Sequence, residues 1–174
     1  MKSKKKSSFK EDQDHLKLAL SAQKKIAESK NKEERLKVVQ SIVRRDAPWI
    51  YDVLLNALAD PIEEIRNYIV TQLAQKENLD LSMLYKRLSN PPWYIKIEVL
   101  KILGLRKNPN SVKYIEVALS DSNDAVRKTA ATALGQIGGE VARNLLVKLT
   151  RDQNPFVRKT AEKSLNETSD LKFL

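Results

Sequence analysis

Apolar residues recur at steps of three and four along most of this chain, as in Ile65, Ile69, Leu73 and again in Ile95, Val99, Leu103. That spacing lines one side of an α-helix and leaves the other side polar. Each such run is followed by a second: Leu81, Leu84, Leu88; Val112, Ile115, Leu119; Ala142, Leu145, Leu149. Breaks separate the runs, most plainly at Asn108-Pro109-Asn110 and Gly138-Gly139. Polar residues followed by proline open the first run of a pair, as in Asp60-Pro61, Asn90-Pro91-Pro92 and Asn154-Pro155. Such residues accept hydrogen bonds from unpaired amides at a helix start, and proline there loses no donor that the helix needs. The pattern predicts helix pairs. With only 4 glycines and 6 prolines in 174 residues, many-stranded sheets are disfavoured.

The pairs repeat. Val126-Arg127-Lys128-Thr129-Ala130 returns letter for letter as Val157-Arg158-Lys159-Thr160-Ala161. Asp60, Asn90, Asp121 and Asp152 open four related segments. Five positions on stand Ile65, Ile95, Val126 and Val157, then Arg66, Lys96, Arg127 and Arg158; further on come Leu73, Leu103, Leu134 and Leu165. Self-similarity at this period is the mark of stacked repeats. A more degenerate unit precedes them at Lys32–Ala59, with Leu36, Val39 and Val43 in its first helix; Ile50, Leu54 and Leu58 follow Asp46-Ala47-Pro48 in its second. The expected organisation is a flexible basic tail at residues 1–10, a capping helix at residues 11–29 with Leu16, Ala19, Leu20 and Ile26 on one side, and an array over residues 30–174. Its units fall near residues 30–59, 60–89, 90–120, 121–151 and 152–174. The last unit has a first helix from Asn154 but no full partner for it, and Leu171, Phe173 and Leu174 are expected to cover its apolar side or meet another copy.

The period, the capped pairs and the run Asp-x4-Val-Arg-x2-Ala-x2-Ala-Leu resemble the HEAT-repeat family, in its short bacterial form with phycobilisome-lyase-type repeats. The likeness is cleanest at Asp121–Leu134 and Asp152–Leu165, clear at Asp60–Leu73, and looser at Asn90–Leu103, where Asn and Lys replace Asp and Arg. It implies an all-α fold, a right-handed α-solenoid of about four to five HEAT-like helical hairpins behind an N-terminal capping helix. It also implies a ladder of hydrogen bonds between neighbouring units, formed by Asp60, Arg66, Asp121, Arg127, Asp152 and Arg158, with Asn90 and Lys96 as a weaker rung. A guanidinium fork suits that task, because it can hold loop carbonyls and a carboxylate at once. The resemblance is specific for fold and not for function.

Composition narrows the chemistry. There is no cysteine and a single histidine, His15, so no disulfide framework, thiol nucleophile or histidine-rich metal site is expected, and no cofactor. P-loop, G-x-G-x-x-G, G-x-S-x-G and H-E-x-x-H patterns do not occur, and Glu33-Glu34 and Glu63-Glu64 sit in first helical turns where the helix dipole favours them. A non-enzyme is expected. The lysines of MKSKKKSSFK are followed by no apolar run, and no segment is long and apolar enough to span a membrane, so a cytoplasmic protein is expected. The net charge of +10 is uneven: residues 1–46 hold fourteen Lys+Arg against seven Asp+Glu, residues 47–174 eighteen against fifteen. The body is nearly neutral.

Two surfaces are candidates for binding. Aligning Leu88, Leu119 and Leu149 puts Ser82, Lys113 and Arg143 in one polar row, Met83, Tyr114 and Asn144 in the next, and Arg87, Ala118 and Lys148 in a third. By the resemblance these second helices line the concave face; the alternative is a plain solvated face, the reading given also to Lys128 and Lys159. The second candidate is an edge marked by Trp49, Trp93 and Tyr94, each just after proline at a helix start, where they anchor a partner or staple a loop. The expected function is a HEAT-repeat scaffold or adaptor that binds a protein through either surface. The alternative is nucleic-acid binding by the basic tail with Lys113, Arg143, Arg87 and Lys148. A DNA-glycosylase-like enzyme, echoed by Trp49, Trp93, Tyr114, Lys113 and Arg143, has no catalytic acid matched by motif.

Overall fold

Helix starts are set by side-chain caps. In the computed structural model, which describes residues 2–45, 47–89 and 92–170 and the side chains of residues 13–45, 47–89 and 92–167, ten α-helices alternate with short turns. No strand occurs among the described residues. Helix α1 is Lys2–Glu28, α2 Lys32–Val43, α3 Trp49–Ala57, α4 Glu63–Gln75 and α5 Leu81–Ser89. Then come α6 Trp93–Arg106, α7 Val112–Ile115, α8 Asp124–Ile137, α9 Glu140–Leu149 and α10 Pro155–Asp170. Asn31 accepts from the amides of Glu33 and Glu34 at 2.8 and 3.1 Å to start α2; Asn123 accepts from Ala125 to start α8, and Asn154 from Phe156 to start α10. Each cap satisfies amides that the helix itself leaves unpaired.

Helix α1 begins at Lys2, so its first turns take in residues 2–10. The region holds no proline or glycine to stop the helix, and lysine and serine enter helices at little cost.

The chain forms two compact units, Met1–Leu73 and Ala74–Leu174, with the boundary inside α4. In the first unit α1 packs on α2 and α3 around Val39, Ile42, Val43, Ile50, Leu54 and Leu58. Of the described side chains of α1 only Ala22 is buried, while Leu16 and Leu20 stay exposed.

In the second unit the first helices α6, α8 and α10 stack side by side, with α5, α7 and α9 behind them. Leu103, Val126, Leu134 and Val157 are fully buried between them, each contributing about 1.5–3 kcal/mol by leaving water. Leu165, the last of its column, is half-buried. The approach is close enough that a Cβ at Gly135 would lie 2.7 Å from the Ser164 Cβ, which is why this position carries none. Gly138 and Gly139, both at positive φ, turn the chain from α8 into α9.

The second helix near residue 115 departs from the expected form. It is a short α-turn, Val112–Ile115, between 3-10 segments Pro109–Ser111 and Glu116–Ser120. At about three residues per turn the buried face becomes Val112, Ile115 and Ala118, and Leu119 is left only half-buried. The expectations placed on Asn90, Asp46, Leu171, Phe173 and Leu174 lie outside the described residues.

Candidate partner-binding surface

The turns between hairpins are held by a repeated hydrogen-bond device. Arg127 Nε and NH2 donate to the two carboxylate oxygens of Asp152 at 2.8 and 3.0 Å, while NH1 donates to the carbonyls of Asp121 and Ser122 at 2.8 and 3.3 Å. Asp152 in turn accepts from the amide of Asn154, so the pair fixes the turn into α10. In the first unit Arg35 grips Asp60 in the same way, at 2.7 and 3.0 Å, and Asp60 accepts from the amide of Ile62. Arg66 NH1 holds the carbonyls of Asp60 and Pro61, and Arg158 NH1 those of Asp152 and Gln153. Lys96 reaches Asp121 with one bond of 2.7 Å.

The electrostatics follow from these contacts. The Arg127 hydrogen bond holds the Asp152 carboxyl below its ordinary range despite burial, and Asp152 raises Arg127. At Asp121 burial works to raise the carboxyl, but hydrogen bonds from Lys96 and the Asn123 amide, with the charges of Lys96 and Arg127, prevail and lower it. The Asp60 hydrogen bond raises Arg35.

Sequence reading missed Arg35. It precedes Arg66 by one repeat period, but six positions before it stands Ser29 where the other units carry Asp or Asn, so its unit does not announce itself.

On α7 the phenol of Tyr114 stacks on Tyr85 of α5, with centroids 3.7 Å apart and planes 8° from parallel. Tyr85 is tied by its hydroxyl to the buried Ser111 Oγ at 3.1 Å, and Lys113 Nζ lies 4.9 Å from the centre of the Tyr114 ring. Two side chains thus hold Tyr114 while 38% of it stays open to solvent. Val117 and Val147 are exposed nearby in sequence register, and Lys148 meets Glu116 at 3.5 Å, joining α9 to the 3-10 segment after α7. Arg143 and Asn144 are exposed on α9. Arg87 is half-buried and bonds back to the Met83 carbonyl within α5. Tyr85 was not among the expected surface residues; facing aromatics one repeat apart were the available signal.

The tryptophans have different surroundings. Trp49 is half-buried beside a hollow that Leu16, Ala19, Leu20 and Pro48 also line, where α1 packs on α3. Trp93 is 49% and Tyr94 42% exposed, packed edge to face at 5.8 Å at the start of α6. Phe156, at the position of α10 that matches Tyr94, is 70% exposed and was not anticipated, though it too follows a proline at a helix start. Lys113, Tyr114 and Tyr85 are therefore brought together, whereas Trp93 and Tyr94 stand on another helix layer of the same unit.

Among the described residues no cluster of three or more His, Cys, Asp or Glu is disposed to hold a metal, and no helix is long and apolar enough to cross a membrane. Comparison with known proteins bears on the fold. A search of curated proteins finds no match. One of the solved structures similar to this chain is a crystal structure of an engineered protein, at 18% identity and a TM-score of 0.47, covering 88% of this chain and 79% of that one. The profile of HEAT repeats matches residues 81–166, the segment whose stacked hairpins and Asp–Arg contacts are described above. Residues 81–166 belong to the HEAT-repeat family.

Proposed function

We propose that this chain is a non-enzymatic scaffold or adaptor whose second unit binds another protein through the face of its second helices, around Tyr114, Val117 and Val147, and through the exposed Trp93–Tyr94 pair. The observation that carries this reading is Tyr114: an aromatic ring held in place by Tyr85 and Lys113 and still open to solvent. Pre-ordered aromatic side chains lose little conformational freedom on binding and supply much of the energy at protein interfaces. A phosphate-tracking surface would need free cations in a row, yet Lys148 is engaged with Glu116 and Lys113 with a ring.

The test uses the full chain as bait, with Tyr114→Ala/Val117→Ser and Trp93→Ala/Tyr94→Ala as paired variants whose helical content is checked by circular dichroism. A protein partner, repurified and titrated, is expected to bind either variant about tenfold more weakly than wild type. Retention of full affinity by both variants overturns the reading. So does recovery of nucleic acid alone, with affinity falling steeply as salt rises.

A further inference from the structure

The first unit contains a cavity of about 660 Å³ between the end of α1, the middle of α3 and the turn into α4. Ile26, Ala27, Val53, Ala57 and Ile62 give it apolar walls, and Lys30 and Arg35 stand among its polar lining. That volume is within the range of small-molecule sites, which pair apolar walls with a few placed polar groups.

Arg35 distinguishes this cavity from an ordinary gap. Its counterparts Arg66, Arg127 and Arg158 each give NH1 to two successive loop carbonyls. Arg35 NH1 has only the first, the carbonyl of Ser29 at 3.0 Å; the second would be that of Lys30. Among the described residues the guanidinium makes three hydrogen bonds, two to Asp60 and one to Ser29, although it carries five N–H groups and only 6% of the residue is exposed. A buried cation with unused donors beside a cavity wants an acceptor. Asp60 neutralises Arg35, and Lys30 leaves the lining with one positive charge in excess.

We propose that this cavity is a binding site for a small amphipathic monoanion, an apolar body of a few carbon atoms bearing one carboxylate. The body lies against Ile26, Val53 and Ala57. The carboxylate accepts the second N–H of Arg35 NH1 and faces Lys30, replacing the missing loop carbonyl.

The probe is octanoate, with octan-1-ol as the uncharged control, titrated into isotopically labelled full chain and followed by amide chemical shifts. Octanoate is expected to shift the amides of Ala27, Ala57 and Ile62 saturably and to bind about fivefold more tightly than octan-1-ol, and exposed Lys30→Glu is expected to remove that preference. Ala27→Phe, which places a ring in the cavity from the exposed side of α1, is expected to abolish the shifts while leaving the helical signal unchanged. Absence of saturable shifts at these amides overturns the proposal. Equal affinity for octanoate and octan-1-ol, or a Lys30→Glu variant that binds octanoate like wild type, overturns it as well.

Discussion

The rungs Arg127–Asp152 and Lys96–Asp121 occupy the same place in successive hairpins, with the same charges and nearly the same burial. They do different amounts of work. Arg127 holds both oxygens of its carboxylate and two carbonyls of its own loop, so one side chain ties two turns together. Lys96 makes one bond to one oxygen. The difference is one of donor geometry: a planar fork serves several acceptors at fixed angles, whereas an ammonium on a flexible stem acts as a point charge. Matching charge along a repeat column is therefore a poor measure of how firmly neighbouring units are coupled.

Removing the stronger rung should have the largest effect. Arg127→Ala leaves the buried Asp152 carboxylate without the cation bonded to it, with only the charge of Arg158 nearby, and two carbonyls without that donor, and is expected to cost about 3–5 kcal/mol, read as a fall in the urea midpoint. Replacing both partners, as Arg127→Met with Asp152→Leu, is expected to cost less than the single change, since no buried charge is stranded. A single variant as stable as wild type would show that the rung is ornamental.

Acid should strike both rungs together. Asp121 and Asp152 have folded-state values below the ordinary carboxylate range, so their stabilisation is complete above the unfolded value near ~4 and disappears as pH falls through the depressed folded values. Stability measured by denaturant at stepped pH is expected to be flat near neutrality and to fall below about pH 4, and Asp152→Asn is expected to flatten that acid limb.

The smallest effect sharpens the contrast. Lys96→Arg is expected to raise stability by no more than about 1 kcal/mol, because a fork at this place can take both oxygens of Asp121. A loss instead would mean that the Lys96 rung is shaped for the ammonium.

Much of the hairpin pattern was legible because helices leave periodic marks: Ile65, Ile69 and Leu73 repeat as Ile95, Val99 and Leu103, and caps and prolines bracket them. The segment around Tyr114 was read as a longer helix, since Val112 and Ile115 fit both the α and the 3-10 period and only Ala118 against Leu119 separates them. Arg35 escaped notice because its unit lacks the opening Asp, yet it forms the same fork.

Local periodicity and end chemistry alone determined that this chain would be helical and repetitive, since both act within a few residues and are written in their order. Whether Trp49 is half-buried or Trp93 faces water, which tyrosine supports Tyr114, and where Arg35 is left with spare donors were decided by tertiary structure. Burial depends on what other segments bring to the same place, and no local spacing encodes that.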